Sequence, residues 1–153
     1  MKEAKPSVYA LRGSVPTPTP ETALFWEGTA AGELRIQHCN ACNRFYFYPR
    51  PFCRYCASPD VEWRTVSGSA RLISYVINHR PLPPADPDVP MIIALVELAE
   101  GPRLLTNIVG TEPDPERLPL DAALRVEFEP REEQVLPVFR IQEQASLGDG
   151  SRA

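Results

Sequence analysis

Lysine is almost absent from this 153-residue chain: Lys2 and Lys5 are the two that occur, and arginine supplies every later cation. Long hydrophobic runs are missing as well. The longest apolar run, Met91–Val96, is far shorter than the roughly 20 residues that cross a bilayer. The N-terminus also lacks the apolar stretch of a secretion signal. We therefore expect a cytoplasmic protein without a membrane-spanning segment.

Histidine is scarce, and the common catalytic signatures are missing. The chain has two histidines, which leaves few general bases that titrate near neutral pH. We find no glycine-rich phosphate loop, nucleotide fingerprint or serine–histidine–acid order. His79, beside Arg80 and a proline-rich stretch, is the one candidate outside the cysteine cluster, and we predict a structural or interface role for it. The sequence thus predicts a chain without catalytic residues of its own.

Proline, in contrast, is abundant. The 18 prolines are more than double the average share of roughly 5%. Because interior prolines break helices, this content favours short strands joined by stiff loops. A hydrophobic fraction of 43% with 24% charged residues is typical of a globular protein and not of a disordered one. The predicted fold class is mainly β.

The net charge of −4 is unevenly distributed. Residues 33–66 carry five arginines and three acids, whereas residues 97–153 carry twelve acids and six arginines. A small basic module therefore precedes an acidic remainder. Arginine suits bidentate contact with phosphate or carboxylate, although codon bias would explain the choice of arginine equally well.

All four cysteines fall in one stretch, as Cys39-x-x-Cys42 and, after ten residues, Cys53-x-x-Cys56. Two such pairs are typical of a closed, tetrahedral four-thiolate site that holds structural zinc, with iron as the less favoured metal. Disulfides or redox pairs are the alternative, but the missing secretion signal disfavours them. His38 adjoins the first ligand. Because four sulfurs fill the coordination shell, we predict a surface role or a contact behind the ligands for it.

A metal would also stabilise a segment of this size, which is too small to depend on a hydrophobic core alone. We predict a three-stranded zinc ribbon with strands at Glu33–Gln37, Phe45–Tyr48 and Val61–Val66. Asn43, which follows the first cysteine pair, is predicted to adopt a left-handed backbone conformation.

A short helix is predicted before the ribbon, at Pro20–Glu27. Thr19 would be its N-cap and Pro20 its first residue, and Gly28 and Gly32 would limit its length. Its two aromatic residues, Phe25 and Trp26, are interpreted either as packing on the ribbon or, together with His79, as contacts to a partner protein.

Five short strands follow, and the spaces between them are too short for crossover helices. They are predicted at Arg71–Asn78, Met91–Ala99, Arg103–Val109, Leu124–Glu129 and Leu136–Ile141. We therefore expect a small antiparallel barrel of the OB-fold type. The predicted organisation is a flexible segment at 1–19, helix and ribbon at 20–66, barrel at 67–142 and a mobile tail at 143–153.

Aromatic and basic residues are interleaved in the ribbon, where seven of the thirteen aromatics of the chain lie between Phe45 and Trp63. Arg44, Arg50 and Arg54 could bind the phosphates of CoA while an aromatic ring stacks on its adenine. The alternative is that the aromatic residues form the small core of the ribbon and its contact with the barrel.

The order of these motifs resembles that of the zinc-ribbon and OB-fold proteins associated with acyl-CoA metabolism, a family first catalogued as a domain of unknown function. The resemblance covers residues 20–141, although family members often have glycine where Asn43 stands. It is carried by Phe25-Trp26-Glu27-Gly28, Gly32-Glu33-Leu34, the two cysteine pairs, Pro49-Arg50, Val66-Ser67-Gly68-Ser69, Val96-Glu97-Leu98 and Gly101.

This resemblance implies an accessory subunit of a hetero-oligomer. Such proteins accompany thiolase-fold enzymes, among them thiolases, acyltransferases and the lipid-transfer-type aldolases of steroid side-chain degradation. The partner carries the catalytic residues, and the ribbon-and-barrel subunit stabilises the complex and helps to form the CoA or acyl channel. The competing hypothesis is a single-stranded nucleic-acid-binding protein, which a pI near 5.2 disfavours.

Overall fold

The computed structural model describes residues 15–81, 85 and 88–143. Among these residues no helix is long and apolar enough to cross a membrane. The predicted flexible segment 1–19 and tail 143–153 lie largely outside the described residues. The elements are helix α1 (Ala23–Ala30), strands β1 (Arg35–Cys39), β2 (Arg44–Tyr46), β3 (Val61–Thr65), β4 (Ser69–Asn78), β5 (Met91–Leu98) and β6 (Arg103–Val109), a 3-10 turn (Pro115–Arg117), and strands β7 (Ala123–Arg131) and β8 (Gln134–Ile141).

The first three strands form the predicted ribbon, an antiparallel sheet in the order β2-β1-β3. Cys39 lies opposite Arg44 on one side and Val61 on the other. The predicted strands are confirmed, with two shifts of position. β1 both begins and ends two residues later than expected and so reaches the first cysteine, and β2 ends at Tyr46, so that Phe47 and Tyr48 leave the sheet.

The remaining five strands form the predicted barrel, closed in the order β4-β5-β6-β8-β7. One pairing departs from the antiparallel expectation: β6 and β8 are parallel and pair at Ile108 with Phe139 and at Val109 with Arg140. Two residues before Phe139 on β8, Pro137 has no N–H group to donate. Its carbonyl oxygen instead accepts a hydrogen bond of 3.0 Å from the hydroxyl of Thr106 on β6.

A β-bulge in β4 explains why its apolar residues occupy both sequence parities. The register shifts between Leu72 and Ser74, and a bulge adds one residue to one strand of a pair. Leu72 is buried, and beyond the bulge Tyr75 and Ile77 pack against the core. Val76 consequently points outward and is 60% exposed.

The predicted start of the helix is wrong. The helix begins at Ala23 with Thr22 as its N-cap, and the Thr22 side chain makes no capping hydrogen bond. Thr19 and Pro20 belong to a preceding turn, in which the Thr22 N–H donates to the Thr19 carbonyl oxygen at 3.0 Å. A proline with its fixed φ fits this turn as well as it fits the first turn of a helix.

The two glycines of the helix have different roles. Gly32 (φ +74°) terminates the helix: its N–H donates to Thr29, and the N–H of Glu33 donates to Gly28, which is the Schellman arrangement. The prediction that Gly28 limits the helix is wrong, because Gly28 lies inside it. A Cβ atom there would be 2.8 Å from the side chain of Arg35, so Gly28 allows α1 to approach β1.

Helix, ribbon and barrel contribute to one apolar cluster. Phe25 of the helix and Leu34 and Ile36 of the ribbon pack with barrel residues such as Val96 and Phe139. The helix and the ribbon are therefore held against the barrel by buried apolar contacts.

Candidate metal centre

The four cysteine sulfurs converge, all lying within 4.8 Å of one another. The Sγ atoms of Cys39 and Cys56 are 3.6 Å apart, as are those of Cys42 and Cys53. In a tetrahedral site with Zn–S bonds of about 2.3 Å, the sulfurs are about 3.8 Å apart. The sulfur positions therefore fit a four-coordinate zinc ion, and four thiolates leave no position open for a substrate.

Each cysteine pair is followed by a residue with positive φ. These are Asn43 (φ 54°), as predicted, and Ala57 (φ 60°), which the sequence did not reveal because alanine rarely adopts this conformation. In the second turn the Tyr55 N–H donates to the sulfur of Cys53 at 3.3 Å. The Cys53 N–H donates to the Ser58 carbonyl oxygen at 2.9 Å. These contacts hold the second cysteine turn in one conformation.

The sulfurs differ in acidity before a metal binds. Burial acts to raise the pKa of Cys53, but N–H donors from Tyr55 and Cys56, with hydrogen bonds from Cys42 and Cys39, lower it to about 7. Burial, followed by the hydrogen bond with Cys53, raises the pKa of Cys42 to about 12. A metal must therefore displace protons from the set, and its affinity falls as the pH falls.

His38 is buried, at 2% exposure, so of the two roles predicted for it, a surface role or a contact behind the ligands, the surface role is wrong. Its Nδ1 and Nε2 atoms lie 3.3 and 3.0 Å from the side-chain oxygens of Asn40 and Asn43. Its ring packs edge-on against Phe45 at 4.8 Å. His38 thus connects the first cysteine turn to the ribbon.

The structure brings two of the three candidate arginines together. The Cζ atoms of Arg44 and Arg54 lie 5.0 and 5.5 Å from the ring centroid of Tyr55, within the range of cation–π contact. The exposed Arg50 is positioned by its backbone N–H, which donates to Gln37 at 2.7 Å. No carboxylate among the described residues forms an ion pair with any of the three.

The three residues predicted for a partner interface lie in different settings. Phe25 is 5% exposed and packs against Trp26 and Phe47, with ring centroids 4.9 and 5.3 Å away. Trp26 is half-buried, and His79 is exposed just after β4. A contact of these residues with a partner stays a prediction.

A cleft that the sequence did not reveal lies beside the ribbon. It has a volume of about 260 Å³ and is lined by helix α1, by residues 47–49 and by facing parts of β6 and β8. Phe25 and Trp26 line it, whereas His79 does not. Its walls come from separate parts of the chain, so no local motif could have indicated it.

Comparison with known proteins supports this architecture. Residues 26–62 match the family description "ChsH2, rubredoxin-like zinc ribbon domain", and residues 63–129 match "ChsH2, C-terminal OB-fold domain". A rubredoxin-like zinc ribbon with four cysteines positioned to bind a metal ion is consistent with the predicted structural zinc.

Two curated relatives are alpha subunits by name. The chain is 37% identical to "Probable enoyl-CoA hydratase alpha subunit" of Thermomonospora curvata. The 139 aligned residues cover 90% of this chain and 42% of that protein. It is also 38% identical to "3-oxo-4,17-pregnadiene-20-carboxyl-CoA hydratase alpha subunit" of Mycobacterium tuberculosis. Here the 98 aligned residues cover 64% of this chain and 31% of that protein. The chain thus spans less than half the length of either relative.

A solved structure matches over nearly its whole chain. It is described as "Ltp2-ChsH2(DUF35) aldolase" and is 34% identical, with a TM-score of 0.73, covering 83% of this chain and 98% of that chain. The fold, the cysteine site and these matches agree with the resemblance drawn from the motifs. The chain therefore belongs to the ChsH2 (DUF35) family, in which a rubredoxin-like zinc ribbon precedes an OB-fold domain.

Proposed function

We propose that this chain is a non-catalytic accessory subunit of an acyl-CoA-processing complex and that its partner is a thiolase-fold enzyme. The partner would be a thiolase, an acyltransferase or a lipid-transfer-type aldolase. The observation that carries the proposal is the match to the Ltp2-ChsH2(DUF35) aldolase, whose name couples ChsH2 with a second component. A relative named for a steroid CoA ester supports steroid side-chain degradation as the setting.

The chemistry of the described residues supports an accessory role. The four thiols converge on the metal site, and both ring nitrogens of His38 are engaged by asparagine side chains. A closed four-thiolate zinc site is structural, because it offers a substrate no coordination position. Four reduced cysteines that converge on one metal site suit a reducing compartment, so we place the proposed complex in the cytoplasm.

Co-expression tests the proposed partnership. We expect the tagged full chain to co-purify in fixed stoichiometry with a thiolase-fold protein encoded beside it, because an accessory subunit must form a stable complex. Size-exclusion chromatography with light scattering would measure the stoichiometry. Thioester turnover should require the partner. Turnover of a thioester by this chain alone would contradict the proposal, as would failure to associate with any thiolase-fold protein of the source organism.

The arginines of the ribbon would contact the phosphates of CoA. Arg44 and Arg54 flank one tyrosine ring, and Arg50 is exposed close by in sequence. Because no carboxylate in the described part of the chain forms an ion pair with these three guanidinium groups, they are available for bidentate contact with phosphate. Because all three are exposed, each contact should contribute on the order of 1 kcal/mol.

Charge removal tests these contacts. We expect Arg54→Gln, and likewise Arg44→Gln or Arg50→Gln, to weaken CoA binding about fivefold by calorimetry at low ionic strength. The matched control is Arg117→Gln, which removes an exposed arginine that lies 3.7 Å from Glu112. Equal CoA affinity in the wild type and all three ribbon variants would refute the assignment.

A further inference from the structure

The cleft beside the ribbon is lined mainly by apolar side chains, and the proposed function assigns it no ligand. Aromatic rings of Phe25, Trp26 and Phe47 face it together with aliphatic side chains such as Leu105 and Leu136. Apolar concave surfaces of this kind are where ligands commonly bind. Its volume of about 260 Å³ is slightly below the roughly 300–1,000 Å³ of pockets that enclose a whole ligand. It therefore suits one part of a larger molecule.

Several of the polar side chains in the cleft are already satisfied within the protein. The Thr106 hydroxyl donates to the Pro137 carbonyl oxygen at 3.0 Å, and the Asn107 amide donates to the Ile92 carbonyl oxygen at 2.9 Å. The Thr22 hydroxyl donates to the Thr19 carbonyl oxygen at 3.3 Å. A polar guest would lose its hydrogen bonds to water and gain few in return. The lining thus favours an aliphatic or alicyclic group.

Cationic groups lie beside the cleft at its ribbon side. Phe47 lines the cleft, and its carbonyl oxygen accepts a hydrogen bond of 3.4 Å from Nη1 of Arg54. Pro49 also lines it, and the exposed Arg50 follows directly in the chain. A ligand that fits both features has an apolar end and an anionic head group.

We propose that the cleft binds the apolar acyl portion of an acyl-CoA whose phosphates lie on the ribbon arginines. This inference rests on the proposed function and names the part of the substrate that this chain itself holds. Two exposed leucines allow a matched test. Leu105, which lines the cleft, and Leu120, which does not, are each 62% exposed, so aspartate at either position should leave the fold intact.

The experiment compares octanoyl-CoA with CoA by calorimetry on the full chain. In the wild type and in Leu120→Asp, octanoyl-CoA should bind at least tenfold more tightly than CoA, because burial of methylene groups adds affinity. In Leu105→Asp that tenfold preference should disappear while CoA affinity is unchanged, because a carboxylate in the cleft disfavours the acyl chain. Equal affinity for the two ligands in the wild type would overturn the proposal, as would identical behaviour of the two aspartate variants.

Co-purification with the thiolase-fold partner separates this inference from the proposed function. Both aspartate variants should retain the partner. If the wild type forms the complex but shows no preference for octanoyl-CoA, the cleft assignment fails and the proposed function stands. If Leu105→Asp loses the partner and keeps the preference for octanoyl-CoA, the cleft is a protein-docking surface and the inference is wrong.

Discussion

The Cys53→Ser variant should lose its bound metal and, with it, the folded ribbon. Cys53 is 1% exposed, and its sulfur is one of the four that fit a tetrahedral ion. Structural zinc contributes about 10–16 kcal/mol of apparent free energy in zinc-finger peptides near neutral pH. Whole domains are stable by only about 5–15 kcal/mol. Elemental analysis would measure the metal, and circular dichroism during heating would measure the loss of stability.

Tyr55→Phe provides the matched control for this loss. The substitution alters the neighbouring side chain but keeps the backbone N–H that donates to the Cys53 sulfur, so this variant should retain stoichiometric metal. Treating the wild type with a strong chelator should reproduce the behaviour of Cys53→Ser. Equal melting temperatures for the metal-loaded and metal-free proteins would mean that the site does not stabilise the fold.

The second large effect is expected for Phe25→Ala. Phe25 is 5% exposed and packs against the rings of Trp26 and Phe47 where the helix meets the ribbon. Truncation of a buried phenylalanine lowers the free energy of unfolding by about 3–5 kcal/mol. Urea denaturation would measure the loss from the transition midpoint at unchanged slope.

The adjacent residue of the same helix supplies the control. Leu24 is 43% exposed, so Leu24→Ala should lower the free energy of unfolding by less than about 1 kcal/mol. Both substitutions create alanine at neighbouring positions, and leucine and phenylalanine differ in helix propensity by less than about 0.7 kcal/mol. A larger difference between the two variants therefore reports burial. Similar losses in the two variants would contradict the packing described for Phe25.

The cysteine cluster and the ribbon strands could be predicted because their signals are local. The spacing of Cys39 and Cys42, repeated at Cys53 and Cys56, specifies a four-thiolate site before any fold is known. Asparagine after the first pair likewise indicated a left-handed residue, because few other side chains tolerate that backbone conformation. The equivalent position after the second pair holds Ala57, which carries no such signal.

The features that sequence reasoning missed depend on contacts between distant residues. Glycine is normally unfavourable within a helix, yet Gly28 lies inside α1, where a Cβ atom would be 2.8 Å from the side chain of Arg35 on β1. The bulge after Leu72 changes which side chains of β4 face inward. The cleft is lined by Phe25, Phe47 and Leu105, which are far apart in the sequence. No periodicity in the sequence indicates that they lie together in the fold.

The parallel seam between β6 and β8 has a dynamic consequence. It pairs two residues on each strand, whereas the hairpin of β7 and β8 pairs eight. Transient separation at the seam breaks few hydrogen bonds, and amide protons there should exchange with deuterium sooner than those of the hairpins. Leu105 of β6 and Leu136 of β8 both line the cleft. Because Leu105 is already 62% exposed, the cleft is open to solvent in the closed barrel, and separation of these two strands would widen it further.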